Sequence, residues 1–371
     1  MPLPENLLKS LLALKAPTAI SLSADGKRVL YSTNLSWAPK KGTDARSTLW
    51  LADTYAPTSA RQISSGLFYD TVPVWSPDSE HVAFVSDRAK SGERSALYVM
   101  NVVQCGEGVA VTDTKFEKPI SKVSFSPDGK KIAFLSADEK TPEKKKRDAE
   151  KHDAMVFGEE VPYPKLRVTD LQTKDVQNLS NEKGHVLDFD WDDSGKSIVE
   201  VVTARPDFES HTGVVAVELE GGTRSTLGKI KGFASSPIWV RDDFYFVGPV
   251  AEVKACSGYC VYTASSKQAN DRFTNVEHGE SDCARDIVKA GKDAFVRVHH
   301  GLVDKIYHVT GEPVFEVQKK LLSWHVVQNK DSTTILALAY GDIHSPPEVH
   351  AIASSASSKE PVTPSTHGST S

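Results

Sequence analysis

Glu159 and Glu160 are adjacent carboxylates that follow the apolar run Val156-Phe157-Gly158 and precede Val161-Pro162-Tyr163-Pro164. Side by side, they suit an ammonium group, which gains charge-assisted hydrogen bonds of roughly 1.5 to 3 kcal/mol each when it is desolvated beside them. The plainer alternative is a pair that faces water or binds Arg167. The twelve histidines, among them His299, His300, His308, His325, His344 and His350, are accompanied by no Gly-x-Ser-x-Gly segment. That segment is the strand-to-helix elbow that exposes a nucleophilic serine, so these histidines read as surface or packing residues and no catalytic residue is expected. Cys256 and Cys260 are spaced as half of a zinc site, but no second pair stands at finger spacing, and Cys105 and Cys283 lie apart. Reduced thiols are expected, with no metal site and no cofactor.

The elements that would position these groups are repeated. Leu22-Ser23-Ala24-Asp25-Gly26, Trp75-Ser76-Pro77-Asp78-Ser79, Phe125-Ser126-Pro127-Asp128-Gly129 and Trp191-Asp192-Asp193-Ser194-Gly195 each precede an alternating apolar run. Proline presets φ, the aspartate or serine side chain holds the turn, and glycine takes the positive φ that closes a hairpin. Strands follow as Arg28–Ser32, His81–Ser86 and Lys131–Ser136, and third strands as Thr48–Asp53, Ala96–Met100 and Lys165–Leu171. The anchors Leu22, Trp75, Phe125 and Trp191 are spaced by 53, 50 and 66 residues, the last gap carrying an insertion. Degenerate copies continue at Pro237–Asp243, Asp286–Asp293 and Trp324–Asp331. Seven units of four short strands predict an all-β, seven-bladed β-propeller over 16–353.

Three segments lie outside that pattern. Leucines 7, 8, 11, 12 and 14 describe an amphipathic helix over 1–15, ended by Ala16-Pro17, which caps the propeller or docks onto a second domain. The insertion at about 138–164 opens with charges of both signs, as a solvated loop or exposed helix. Residues 354–371 are rich in Ser and Thr and read as a disordered tail. A net charge of −5 and a pI near 6.2 argue against a nucleic-acid partner. No apolar run is long enough to cross a membrane and no leader is visible at Met1-Pro2-Leu3-Pro4, so a cytoplasmic location without membrane contact is expected.

The Ser-Pro-Asp-Gly turns followed by Lys-Ile-Ala-Phe strands resemble those in the propeller domains of the prolyl oligopeptidase (S9) family of serine peptidases. The leucine helix and the Val156-Phe157-Gly158-Glu159-Glu160 segment are similar to the acylaminoacyl-peptidase and dipeptidyl-peptidase V branch. The resemblance implies a propeller that packs over an α/β-hydrolase domain and admits only short peptides. It also implies that Glu159 and Glu160 hold the free amino terminus of a peptide. The sequence shows no βαβ alternation that could build the hydrolase sheet. The expectation is therefore a non-catalytic propeller portion, inactive alone, whose partners are short peptides and a hydrolase domain that is missing or separate. A stand-alone propeller scaffold for protein–protein interaction is the alternative.

Overall fold

In the computed structural model the turn chemistry repeats from unit to unit. The structure describes residues 14–35, 46–92, 94–104, 106–112, 119–152, 163–180, 184–204, 211–250, 258–265, 274–276, 282–329, 331, 333–342, 344–354 and 365–367. Ser23 Oγ donates to Asp25 Oδ1 and Ser126 Oγ to Asp128 Oδ1, both at 2.6 Å, and Ser76 and Asp78 form the same pair. Each hydroxyl also accepts the N–H five residues on, from Arg28 (3.0 Å), His81 (3.1 Å) and Lys131 (3.0 Å). The fourth unit exchanges the roles, with Asp192 accepting from Ser194 Oγ at 2.5 Å and from the Ser197 N–H at 3.0 Å. Leu22, Trp75, Phe125 and Trp191 then pair with Val29, Val82, Ile132 and Ile198, the same hairpin four times.

The turns of blades 5 and 6 lack the motif because they are shorter. Val240 pairs with Asp243 and Ala290 with Asp293, so two residues make each turn, and the first of them, Arg241 or Gly291, sits at φ 60° or 61°. A two-residue hairpin draws on positive φ rather than on a Ser–Asp clasp.

The strands form seven four-stranded antiparallel sheets, each built from four consecutive strands. The first strands of blades 1 to 7 are Lys15–Leu22, Thr71–Trp75, Ile120–Phe125, His185–Trp191, Ser235–Val240, Asp282–Ala290 and Lys320–Gln328. Each packs on the first strand of both neighbouring blades, blade 1 on blade 7 included, so they line a closed ring. This is the seven-bladed propeller that the repeat predicts. Among the described residues no strand is exchanged between blades 1 and 7, and these two blades meet through side-chain packing and side-chain hydrogen bonds.

The alternation of the second strands acquires its meaning here. Val29 and Tyr31 pack against blade 7 while Leu30 packs against blade 2, and Ala337 and Ala339 face blade 1 while Leu336 and Leu338 face blade 6. Both faces of a blade are thus buried. The core is accordingly divided into seven clusters, one in each blade–blade interface.

Antiparallel order fixes which connections share a side of the disc. The Ser-Pro-Asp-Gly turns lie on one face, termed here the turn face. On the opposite, base face the first strand of each blade begins, the second ends, the third begins and the fourth ends. Lys15 enters there, and the fourth strand of blade 7, Ser365–His367, runs toward it.

Three sequence expectations are refined. Residues 1–13 of the expected helix fall outside the described residues, and Lys15, its last residue, opens the first strand. Within the expected tail, Ser354 ends the third strand of blade 7, and Ser365–His367 supplies the fourth by pairing with Val349–Ala351. Ladder bonds use only backbone groups, so a Ser/Thr-rich composition does not prevent them. The insertion contains the helix Pro142–Ala149, capped by Thr141 and with no buried residue.

Candidate functional site

Every first strand carries an irregularity near its base-face end. The pairing register slips at Thr18, at Val72-Pro73, at Lys122, at Leu187, at Ser236-Pro237, at Arg285 and at Leu322. Val72, Lys122 and Ser236 take positive φ there (49°, 38° and 51°). A bulge leaves a residue unpaired and re-aims its side chain, and seven at one level collar the base-face mouth of the central channel. A first strand is covered by its own second strand and by two neighbouring blades, so its exposed residues open on that channel. Thr18, Ser121, Arg285 and Leu322 are such residues.

The charged groups of the collar are mostly committed. Lys122 binds Asp188 at 2.5 Å, and Asp188 also accepts the Ser236 N–H at 2.7 Å, while Asp190 accepts the Trp239 N–H at 3.2 Å. Two acids of blade 4 therefore hold the backbone of blade 5. Burial pushes the Asp190 carboxyl up to about 6, against the opposing pull of Lys122 and Lys289. Arg297 binds Asp286, which also accepts from Trp324 Nε1 at 2.6 Å.

The histidines resolve into structural roles. His299 lies against Asp304, and His300 binds Asp282 at 2.6 Å. His308 bonds Thr310 at 2.7 Å, His350 stacks on Tyr340 with centroids 4.2 Å apart, and His325 Nδ1 accepts the Leu22 N–H. His344 lies in a loop where its N–H donates to Asp342. Cys260 is buried and Cys283 half-buried, and neither forms a disulfide among the described residues. Among the described residues no group of three His, Cys, Asp or Glu is arranged to hold a metal ion. Cys105 and Cys256 fall outside the described residues.

Glu159 and Glu160 also lie outside the described residues. Their insertion leaves blade 3 after Ala137 and rejoins it at Pro164, and both strand ends are on the base face. Arg167, considered above as their partner, binds Asp138 at 2.5 Å.

The base face is also the more apolar one. Nine large apolar side chains are exposed among the described residues. Leu14, Leu35, Leu67, Val250, Leu302 and Leu322 stand on the base face or its channel mouth, against Tyr55, Val103 and Val109 toward the turn face. Leu302, at the tip of the hairpin between the second and third strands of blade 6, is 99% exposed. The bulge collar and the charges inside it were not legible beforehand, since a bulge shows only as a slip between two paired strands.

No protein-family model matches the chain. A segment of 120 residues is 32% identical to the uncharacterized peptidase YuxL of Bacillus subtilis (strain 168), covering 32% of this chain and 17% of that protein. Among solved structures the chain is similar to a prolyl endopeptidase (TM-score 0.64, 14% identity, 96% of this chain and 51% of that one). It is also similar to the acylaminoacyl peptidase of Pyrococcus horikoshii (TM-score 0.67, 12% identity, 92% and 52%). The β-propeller domain of the trilobed protease of Pyrococcus furiosus, described as having an open velcro topology, matches over 91% of this chain and 95% of its own (TM-score 0.64, 12% identity). The chain spans about half the length of the two peptidases. It has the fold of their propellers, and among the described residues each of its seven sheets is made of consecutive strands.

Proposed function

We propose that this chain is the non-catalytic propeller portion of an S9-type serine oligopeptidase and that its base face seats on an α/β-hydrolase domain, limiting access to short peptides. The observation that carries the reading is the clustering on that one face of the exposed apolar side chains, the channel collar, and the strand ends that border residues 1–13 and the 138–163 insertion. Large exposed apolar patches mark surfaces that are covered in the working assembly. The structural likeness to propellers of prolyl endopeptidase and acylaminoacyl peptidase points the same way. A scaffold with no such partner has no evident use for this asymmetry.

Within this reading Glu159 and Glu160 hold the amino terminus of a bound peptide as an ammonium clamp. The acid–base chemistry of cleavage belongs to the hydrolase domain, and the propeller contributes access and orientation.

The test is to treat source-cell lysate with a fluorophosphonate probe and precipitate with an antibody against the propeller. A labelled serine hydrolase recovered with it, identified by peptide sequencing and lost when Leu302 and Leu67 are replaced by Asp, is the expected result. Recovery of the propeller with no labelled species, from lysate in which other serine hydrolases are labelled, overturns the reading.

A further inference from the structure

The base-face mouth at blades 6 and 7 holds a charge arrangement that the fold itself does not use. Three carboxylates lie there, and each is committed. Asp304, 3% exposed, lies against His299 and accepts the Leu321 N–H at 3.0 Å. Asp286 binds Arg297 and Trp324 Nε1. Asp282, whose side chain is 6% exposed, binds His300. Two cations remain. Arg285, on the bulge of the blade 6 first strand, and Lys320, which opens the first strand of blade 7, are both exposed, and neither has an ion pair or hydrogen bond among the described residues. Arg285 and Lys320 stand on adjacent first strands that pack on one another, and both lie within electrostatic reach of His299, as Arg297 does. Asp304 and Asp282 are thus buried and Asp286, 30% exposed, is paired with Arg297, while the charges left without a partner among the described residues are a guanidinium and an ammonium.

A guanidinium presents a planar fork that matches a carboxylate in two parallel bonds, and an adjacent ammonium adds a point charge. Leu322, on the neighbouring bulge and 42% exposed, offers apolar contact beside them. We infer that Arg285 and Lys320 form a carboxylate-recognition site at the channel mouth, and that it takes the C-terminal carboxylate of a short peptide. The inference rests on the reading of this chain as a peptide-handling propeller.

The test measures binding of a short alanine peptide to the purified chain by calorimetry, once with a free C-terminal carboxylate and once as the C-terminal amide. The carboxylate form is expected to bind about tenfold or more tightly than the amide, as a charge-assisted pair implies. Arg285→Gln should bring the two forms to nearly equal affinity and Lys320→Gln should narrow the gap, with unchanged thermal unfolding because both side chains are exposed. Equal binding of the two forms by the native chain, failure of the carboxylate form to bind, or an undiminished preference in Arg285→Gln overturns the site. Equal binding leaves the gating reading standing, whereas a clear carboxylate preference with no labelled hydrolase in the precipitation experiment overturns the gating reading and keeps the site.

Discussion

The backbone N–H of Leu22, at the end of the first blade's opening strand, donates to Nδ1 of His325 in the last blade at 3.3 Å. Beside it the Ile20 N–H donates to Ser323 Oγ at 3.2 Å. Among the described residues no strand is shared between these blades, and these bonds and an alanine-rich cluster containing Ala337, Ala339 and Ala351 join them. An acceptor Nδ1 requires the neutral imidazole with its proton on Nε2.

His325 ties that closure to pH. Burial lowers its pKa from 6.5 to about 4. The unfolded chain therefore binds the proton that the folded chain refuses, so the stability contribution is complete above about pH 6.5 and declines as the pH falls toward 4. Thermal unfolding from pH 7 to pH 4.5 should show a drop in Tm that is smaller in His325→Gln, which cannot take up the proton. An identical drop in both proteins would show that the seam does not titrate.

Asp190 carries the opposite sign. Its pKa is raised to about 6, so the ionised form is disfavoured in the folded chain and stability from this group increases as the pH falls from about 6 toward 4. Asp190→Asn keeps an acceptor for the Trp239 N–H and removes the buried charge. The variant should be more stable than the parent at pH 7.5, by roughly 1 to 3 kcal/mol, since two pKa units set the ceiling. Denaturant unfolding at pH 7.5 and pH 4.5 checks this, because the gain should shrink at the lower pH.

Arg88 of blade 2 pairs with Asp70, in the link from blade 1 to blade 2, at 3.0 Å, with the Asp70 side chain fully buried. The guanidinium lies over the rings of Phe84 (4.9 Å) and Tyr98 (4.7 Å). Arg88→Met should cost about 3 to 5 kcal/mol because it strands a buried carboxylate. The double variant Arg88→Met, Asp70→Asn should recover much of that loss. Urea unfolding of the two single variants and the double variant completes the cycle.

The turn glycines should not tolerate alanine equally. At Gly129 (φ 71°) a Cβ would meet only Pro77 Cδ at 3.6 Å, so Gly129→Ala carries the left-handed backbone strain of about 1 to 2 kcal/mol. At Gly26 (φ 70°) the same atom would fall 2.3 Å from Cδ1 of the fully buried Ile335 in blade 7. Gly26→Ala should therefore lower Tm by more than Gly129→Ala does. Ser79 occupies the equivalent place at φ 61°, and its hydroxyl accepts the Asp25 N–H at 3.1 Å. Ser79→Gly exchanges that bond for relief of strain and should be close to neutral, whereas Ser79→Ala should be destabilising.

What the sequence determined by itself is what a few neighbouring residues settle among themselves. Ser126, Asp128 and Gly129 complete their turn with the N–H and C=O of Lys131, so the residue types alone announce the hairpin, and the pattern of Lys131–Ser136 announces the strand that follows, which the structure buries on both faces. Seven such units imply a propeller because blades with two apolar faces must stack until the ring closes. Where the turn shrinks to two residues, at Arg241 and Gly291, that local signature disappears and the unit is only faintly legible.

The tertiary structure decided the rest. The 303 residues between Leu22 and His325, the slips that gather Thr18, Lys122, Arg285 and Leu322 into one collar, and the surplus of Arg285 and Lys320 over already bonded carboxylates are set by ring closure and strand register. Neither is carried by any stretch of neighbouring residues: a partner fifty or three hundred positions away is chosen by where the packed blades place it.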